Sequence, residues 1–247
     1  MRKTCFAALW AGCMATSLPA FAAESDPTSG TITSNIGVVT DYVSRGLSQT
    51  RGNPAVQGGV DWAMTTENVD PYFGVWASNV NGGDALGLPG AELELDLYGG
   101  VLIEVFGASV DVGMYYYVYP GEEGSFNPNY NEFKIGISFP ITDSVSIKSL
   151  YYYSPNYFGL DTYSHYLNGE VVFAPHQLPW DLEFTASVGR SIFGGNGLIN
   201  RTDWLIGAAI SLEIFEVSVA YTDSTDKEST CNKVCGGRII GKISRSF

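Results

Sequence analysis

Histidine, cysteine and basic charge are all scarce in this chain. Two histidines and four cysteines in 247 residues leave little for metal sites or thiol chemistry. Two of the cysteines, Cys5 and Cys13, fall in an N-terminal stretch that reads as disposable. Charged residues make up 16% of the chain, against roughly 25% in ordinary globular proteins. Thirteen Lys and Arg face 26 Asp and Glu, for a formal charge of -13. That balance excludes a surface that neutralises phosphates, so nucleic acid is not an expected partner. There is no GxSxG elbow, HExxH, Walker loop or strand-linked GxGxxG, so no cofactor, no metal and no enzymatic activity are expected.

What remains is apolar and aromatic: 45% hydrophobic residues, 29 glycines and 15 tyrosines. Such a chain suits neither an ordinary aqueous surface nor a disordered polymer. Arg2 and Lys3 precede an apolar run, and Ala20 and Ala22 present small side chains to a peptidase, so residues 1–22 read as a cleaved secretory signal. Thr4, Gly12, Thr16, Ser17 and Pro19 break that run short of the ~20 apolar residues of a membrane-spanning helix. Export permits disulfides, and Cys231 with Cys235 in a polar stretch is expected to form a small loop clip.

The dominant period in the mature chain is two. In Glu92-Leu93-Glu94-Leu95-Asp96-Leu97-Tyr98, acids alternate with leucines, which puts carboxylates on one strand face and leucines on the other. Gly, Pro, Asn and Asp clusters then delimit strands near 32–45, 55–65, 71–80, 91–101, 107–119, 131–139, 145–153, 164–173, 181–190, 202–211, 215–222 and 238–247. The connections alternate short and long. An all-β, up-and-down antiparallel outer-membrane barrel of about 12 strands has this pattern, with short periplasmic turns and longer outer loops. The expected organisation is a signal at 1–22, a short periplasmic segment at 23–31 and one barrel at 32–247. Tyr42, Trp62, Tyr72, Trp76, Tyr98, Tyr119, Tyr151, Tyr166, Trp204 and Tyr221 sit near strand ends, where an interfacial girdle would place them. The chain ends on Phe247, with Ile239 and Ile243 on the same strand face, as a signal to the barrel assembly machinery would require.

Asp41-Tyr42-Val43-Ser44-Arg45-Gly46-Leu47-Ser48-Gln49-Thr50, continuing through Asn53-Pro54 to Asp61-Trp62, resembles the hallmark of the TorF family of porin-like outer-membrane barrels. The likeness continues in Gly74-Val75-Trp76-Ala77-Ser78-Asn79-Val80, in Glu94-Leu95-Asp96-Leu97-Tyr98-Gly99-Gly100, in Asp111-Val112-Gly113 and in Ser244-Arg245-Ser246-Phe247. It implies a barrel in the outer membrane of a Gram-negative bacterium, in contact with lipid and lipopolysaccharide, with a channel role.

Strand alternation assigns to the lumen Asp41, Asp61, Glu92, Glu94, Asp96, Asp111, Glu132, Glu170, Asp181, Glu183, Asp203 and Glu216, against Arg45, Lys134, Lys148 and Lys242. The acid excess implies a cation-preferring path for passive diffusion of small hydrophilic solutes. The alternative is a filled polar core in a non-conducting barrel with a structural, adhesive or scaffold role. Arg45 with Asp41, and Lys134 with Glu132, could brace the wall. A loop folded inward, 81–90 or 120–130, would favour that alternative. Ser164 and His165 near Asp161 could suggest a hydrolase, but adjacent strand residues face opposite ways, and His176 lies in a separate turn. Glu122, Glu123 and Asp84 read as a solvated loop surface, and Gly194-Gly195-Asn196-Gly197 as a loop tip.

Overall fold

A computed structural model describes residues 30–124, 127–175, 181–195, 197–226, 231 and 233–247. The expected signal at 1–22, His176 and Asn196 lie outside the described residues. The chain forms β1 (Thr31–Val39), β2 (Val43–Ser44), β3 (Leu47–Ser48), β4 (Ala55–Ala63), β5 (Asp70–Asn79), β6 (Leu93–Val105), β7 (Ala108–Val118), β8 (Tyr130–Thr142), β9 (Val145–Ser154), β10 (Ser164–Phe173), β11 (Asp181–Phe193), β12 (Arg201–Ser211), β13 (Glu216–Ser224) and β14 (Arg238–Ser246). Only two helical turns are present among the described residues, Gly82–Leu86 and Tyr157–Gly159.

Twelve of these strands close into an antiparallel barrel in which β1 pairs with both β4 and β14, while β2 and β3 pair only with each other. The seam runs to the last residue. The Phe247 amide donates to the Ser34 carbonyl at 2.8 Å, and the Ser34 amide to the Phe247 carbonyl at 3.1 Å. Closure leaves no barrel strand with an unpaired edge, which is what a strand wall in lipid must achieve.

Short turns gather at one end. Between Val105 and Ala108 the turn is Phe106-Gly107, with φ of 50° and 82°, the conformation a two-residue hairpin requires to match strand twist. The exterior is apolar: Ile32, Ile36, Phe73, Ile206, Ile239 and Ile243 all stand exposed on outward positions. Among the described strand residues, only Arg190, Asp223 and Arg245 place a formal charge on the outward face. A band of this kind belongs against hydrocarbon.

All twelve expected barrel strands are present, but the first one is shorter than the alternation implies. β1 stops at Val39, and the residues up to Pro54 turn into the barrel. The girdle assignment also needs correction. Trp62, Tyr151, Trp204 and Tyr221 do face outward, whereas Tyr42, Tyr72, Trp76, Tyr98, Tyr119 and Tyr166 pack inside. Proximity to a strand end does not fix which face a residue takes; its parity in the strand does. Inward glycines make room for these rings. A Cβ added at Gly100 or Gly113 would stand 2.6 Å or 2.8 Å from the Tyr72 hydroxyl.

Candidate functional site: a hairpin across the lumen

The segment between β1 and β4 folds inward as a β2–β3 hairpin whose two-residue turn is Arg45-Gly46, with φ of 46° and 77°. Glycine takes this conformation freely; arginine does so at a cost of order 1–3 kcal/mol, so something must hold it there. The Arg45 guanidinium supplies the hold: it donates to Glu132 of β8 through both terminal nitrogens, at 2.9 and 2.6 Å. A bidentate pair of this kind fixes direction as well as distance. The cation also lies 4.4 Å from the Tyr166 ring centre and 5.1 Å from that of Tyr152. Both members of the pair are buried, Arg45 at 6% and Glu132 at 0% relative exposure.

Other contacts anchor the base and tip of the hairpin. Asp41 accepts from Ser48 Oγ and Thr50 Oγ1 and pairs with Arg238 of β14 at 2.6 Å. The Tyr42 hydroxyl donates to one oxygen of Glu94 at 2.5 Å, and the Tyr119 hydroxyl to the other at 2.8 Å. Burial, with the Glu94 carboxylate alongside, holds the Tyr119 hydroxyl well above the ordinary phenol range, so it stays a donor. At the tip, a Cβ on Gly46 would meet the Cβ atoms of Ser224 and Asp203 at 2.7 and 2.8 Å. The hairpin therefore reaches from β1 to β8 on one side and to β12–β13 on another.

Around it lies an aromatic core. Tyr98, Tyr115, Tyr117, Tyr130 and Phe158 form successive stacked pairs with centroids 4.6 to 6.0 Å apart. Leu88 and Ala91 pack on this cluster. The Glu123 amide donates to the Pro89 carbonyl at 2.8 Å, joining the loop after β5 to the loop after β7. These two loops cover the lumen, but the element that crosses it is the 40–54 segment, which the alternation hides.

The clip region supports the hairpin from outside. Cys231 and Cys235 are joined by a disulfide. The Val234 carbonyl accepts from the Ser48 amide at 2.7 Å. Arg238 donates to the carbonyls of Lys233, Val234 and Cys235 while holding Asp41.

Most of the residues assigned to the lumen do lie inside. Asp61 accepts from the Tyr98 hydroxyl, Asp111 from that of Tyr72 at 2.7 Å and Asp203 from that of Tyr166 at 3.1 Å. Lys134 pairs with Asp111 at 2.6 Å. Glu94, Asp96, Glu132 and Glu170 are buried, while Glu183, Glu216, Lys148 and Lys242 are half-buried on inward positions. One assignment fails. Glu92 is exposed and precedes β6, which starts at Leu93, whereas Asp181 keeps the inward parity of Glu183 and is exposed only as the first residue of β11. Alternation continued past a strand end carries no facing information.

The expected bracing pairs also differ. Arg45 pairs with Glu132 instead of Asp41, and Lys134 with Asp111 instead of Glu132, so the bonds run between elements rather than along one strand. Sequence reasoning missed Arg201, which pairs with Asp226 at 3.4 Å, and Arg238. Their shared parity with Asp203 and Lys242 was the available signal. Asp84 pairs with Arg51 at 2.5 Å. Ser164 faces in and is buried, while His165 faces out and bonds the Tyr151 hydroxyl at 2.7 Å through Nδ1. Among the described residues, no group of three or more His, Cys, Asp or Glu is placed to hold a metal ion.

A family model described as a bacterial protein of unknown function, Gcw_chp, matches residues 22–247. The chain belongs to the Gcw_chp family. No curated protein matches the chain. Solved structures match the fold of this Gcw_chp protein over most of its length. One is a NanC porin in a rhombohedral crystal form, at 12% identity and TM-score 0.54, covering 88% of this chain and 99% of that one. Another is the KdgM porin, at 10% identity and TM-score 0.50, covering 87% and 99%. KdgM porin in complex with disordered oligogalacturonate matches at 8% identity and TM-score 0.52, covering 88% and 99%. At such identities the likeness is one of fold: a closed twelve-stranded antiparallel barrel of the porin kind.

Proposed function

We propose that this Gcw_chp protein is a porin-like outer-membrane channel of the TorF type, which passes small hydrophilic solutes with a preference for cations and rests in a closed form. It is not an enzyme in this reading. The exported mature chain would begin after residue 22, sit in outer-membrane lipid and lipopolysaccharide, and reach that place through the barrel assembly machinery with Phe247 as its signal. The long loops would face outward.

One observation carries the proposal. The element closing the lumen is a hairpin whose strained tip is held by one buried ion pair, Arg45 on Glu132. A permanently filled barrel has no need of a strained turn to fill it. The remaining interior is rich in carboxylates, which favours cations by Coulomb focusing in a low-dielectric wall. In this the chain contrasts with the KdgM porin, whose complex holds oligogalacturonate, a chain of carboxylate-bearing sugars that an acidic lumen would repel.

A second reading has its own support. The tyrosine stack and the buried ion pairs would equally fill a non-conducting barrel with a structural, adhesive or scaffold role. Swelling of proteoliposomes in small sugars and ammonium salts separates the two. Solute entry above that of empty liposomes supports the channel. Folded, heat-modifiable protein that admits nothing, with the hairpin intact or with Arg45→Ala, supports the filled barrel.

A further inference from the structure

The lumen has two unlike walls. On β4–β8 most charges are tied up: Asp61 with Tyr98, Glu94 with Tyr42 and Tyr119, Asp111 with Tyr72 and Lys134, and Glu132 with Arg45, Asp96 Oδ1 being the exception. On β10–β13, buried oxygens collect that no protein donor reaches. Both carboxylate oxygens of Glu170, Oε1 of Glu216, Oγ1 of Thr185 and Oγ of Ser218 accept and donate nothing. Glu170 is only 3% exposed. Native interiors rarely leave such groups unpaired, and where several share one surface they mark where a ligand's own polar groups belong.

Lysines stand beside these acids. Lys148 lies directly across the β9–β10 ladder from Glu170, and Lys242 across the β13–β14 ladder from Ser218. The wall thus offers separated carboxylates with hydroxyls between them and cations at its flanks. Anionic solutes would meet the acids, and divalent metal ions would meet the lysines.

Resting on the channel reading above, we infer that solutes pass along this β10–β13 wall rather than down the barrel axis, and that the wall selects compact solutes carrying an ammonium group. Glu170 and Glu216 accept the N–H donors, while Thr185 and Ser218 exchange hydrogen bonds with the rest of the solute. Glu170 is the specificity-determining residue, because both its oxygens face this path without a protein donor.

The test uses single cysteines in the full barrel, reacted with matched cationic (aminoethyl) and anionic (sulfonatoethyl) methanethiosulfonates. Ser218→Cys and Thr185→Cys are expected to react with the cationic reagent about tenfold faster than with the anionic one, the effect of one nearby carboxylate in a partly desolvated wall. Adding Glu170→Gln is expected to bring the two rates together. Ser78→Cys, buried on β5 of the opposite wall, is expected to stay protected. Equal rates for the two reagents in folded barrel, or reaction at Ser78→Cys with none at Ser218→Cys, would overturn the assignment. Proteoliposome flux without a charge preference in labelling defeats this inference and leaves the channel standing. Charge-selective labelling without flux defeats the channel reading and the passage that rests on it, leaving a cation-selective vestibule in a barrel that does not conduct.

Discussion

Replacing Arg45 by alanine strands Glu132 in a site where it has no exposure to solvent. The carboxylate then keeps the Tyr117 hydroxyl, at 3.2 Å. Removing one partner of a buried ion pair costs about 3–5 kcal/mol, and loss of the two ring contacts adds roughly 1–2 kcal/mol. The structure offers a way to limit that loss, since the hairpin can leave and let water reach Glu132. The free-energy cost should therefore surface mainly as release of the hairpin, with an open-to-closed ratio raised by about a hundredfold for each 3 kcal/mol. Glu132→Gln should release it as well, because Arg45 then sits uncompensated against Tyr152 and Tyr166. The double variant Arg45→Leu with Glu132→Leu removes both charges and should be less disturbed than either single change. Hydrogen exchange at the 40–54 amides, read beside urea unfolding in lipid vesicles, measures release and global stability separately. A coupling of at least about 2 kcal/mol between the two sites is expected. Additive effects, or slow exchange of those amides in Arg45→Ala, would refute the latch.

Gly46→Val adds a branched side chain at a φ of 77° where a Cβ already meets Ser224 and Asp203; hydrogen exchange should show the same loosening of 40–54 as Arg45→Ala, and unchanged protection would mean the tip does not rest on β12–β13. Ile206 is 62% exposed at the middle of β12, so Ile206→Arg should cost about 2–4 kcal/mol in lipid, whereas a charge at Ile32, close to the short-turn end, should cost under about 1 kcal/mol. Equal costs by urea unfolding would contradict the placement of the apolar band. Deleting Phe247 removes the two seam bonds to Ser34 and should lower the yield of heat-modifiable barrel; an undiminished yield would show that β14 closes without it.

The strands were legible because a barrel wall separates water or protein from lipid at every second residue. Glu94 and Asp96, Glu132 and Lys134, and Asp203 all occupy the face that their alternation indicates. The hairpin was not legible, for a local reason. Tyr42-Val43-Ser44 continues the alternation of β1 so well that only Arg45-Gly46 signals a turn, and arginine is a poor marker for a positive φ. The partner that holds Arg45 lies 87 residues away, beyond anything a strand pattern encodes. The tyrosines misled for a related reason. A barrel of this width needs bulky interior filling, and rings such as Tyr98 and Tyr166 serve inside while Tyr151 and Trp204 serve outside, with similar positions along their strands. What distinguishes them is parity, together with an inward glycine on which the ring can rest.

Single-channel recording of the refolded protein under a salt gradient tests the central claim most directly, with Arg45→Ala beside the unaltered chain in the same lipid. The account predicts rare, brief openings for the unaltered barrel, frequent or sustained ones for Arg45→Ala, and a cation-selective reversal potential in both. Folded barrels that stay silent in both chains, or open equally in both, would contradict a lumen closed by the Arg45–Glu132 latch.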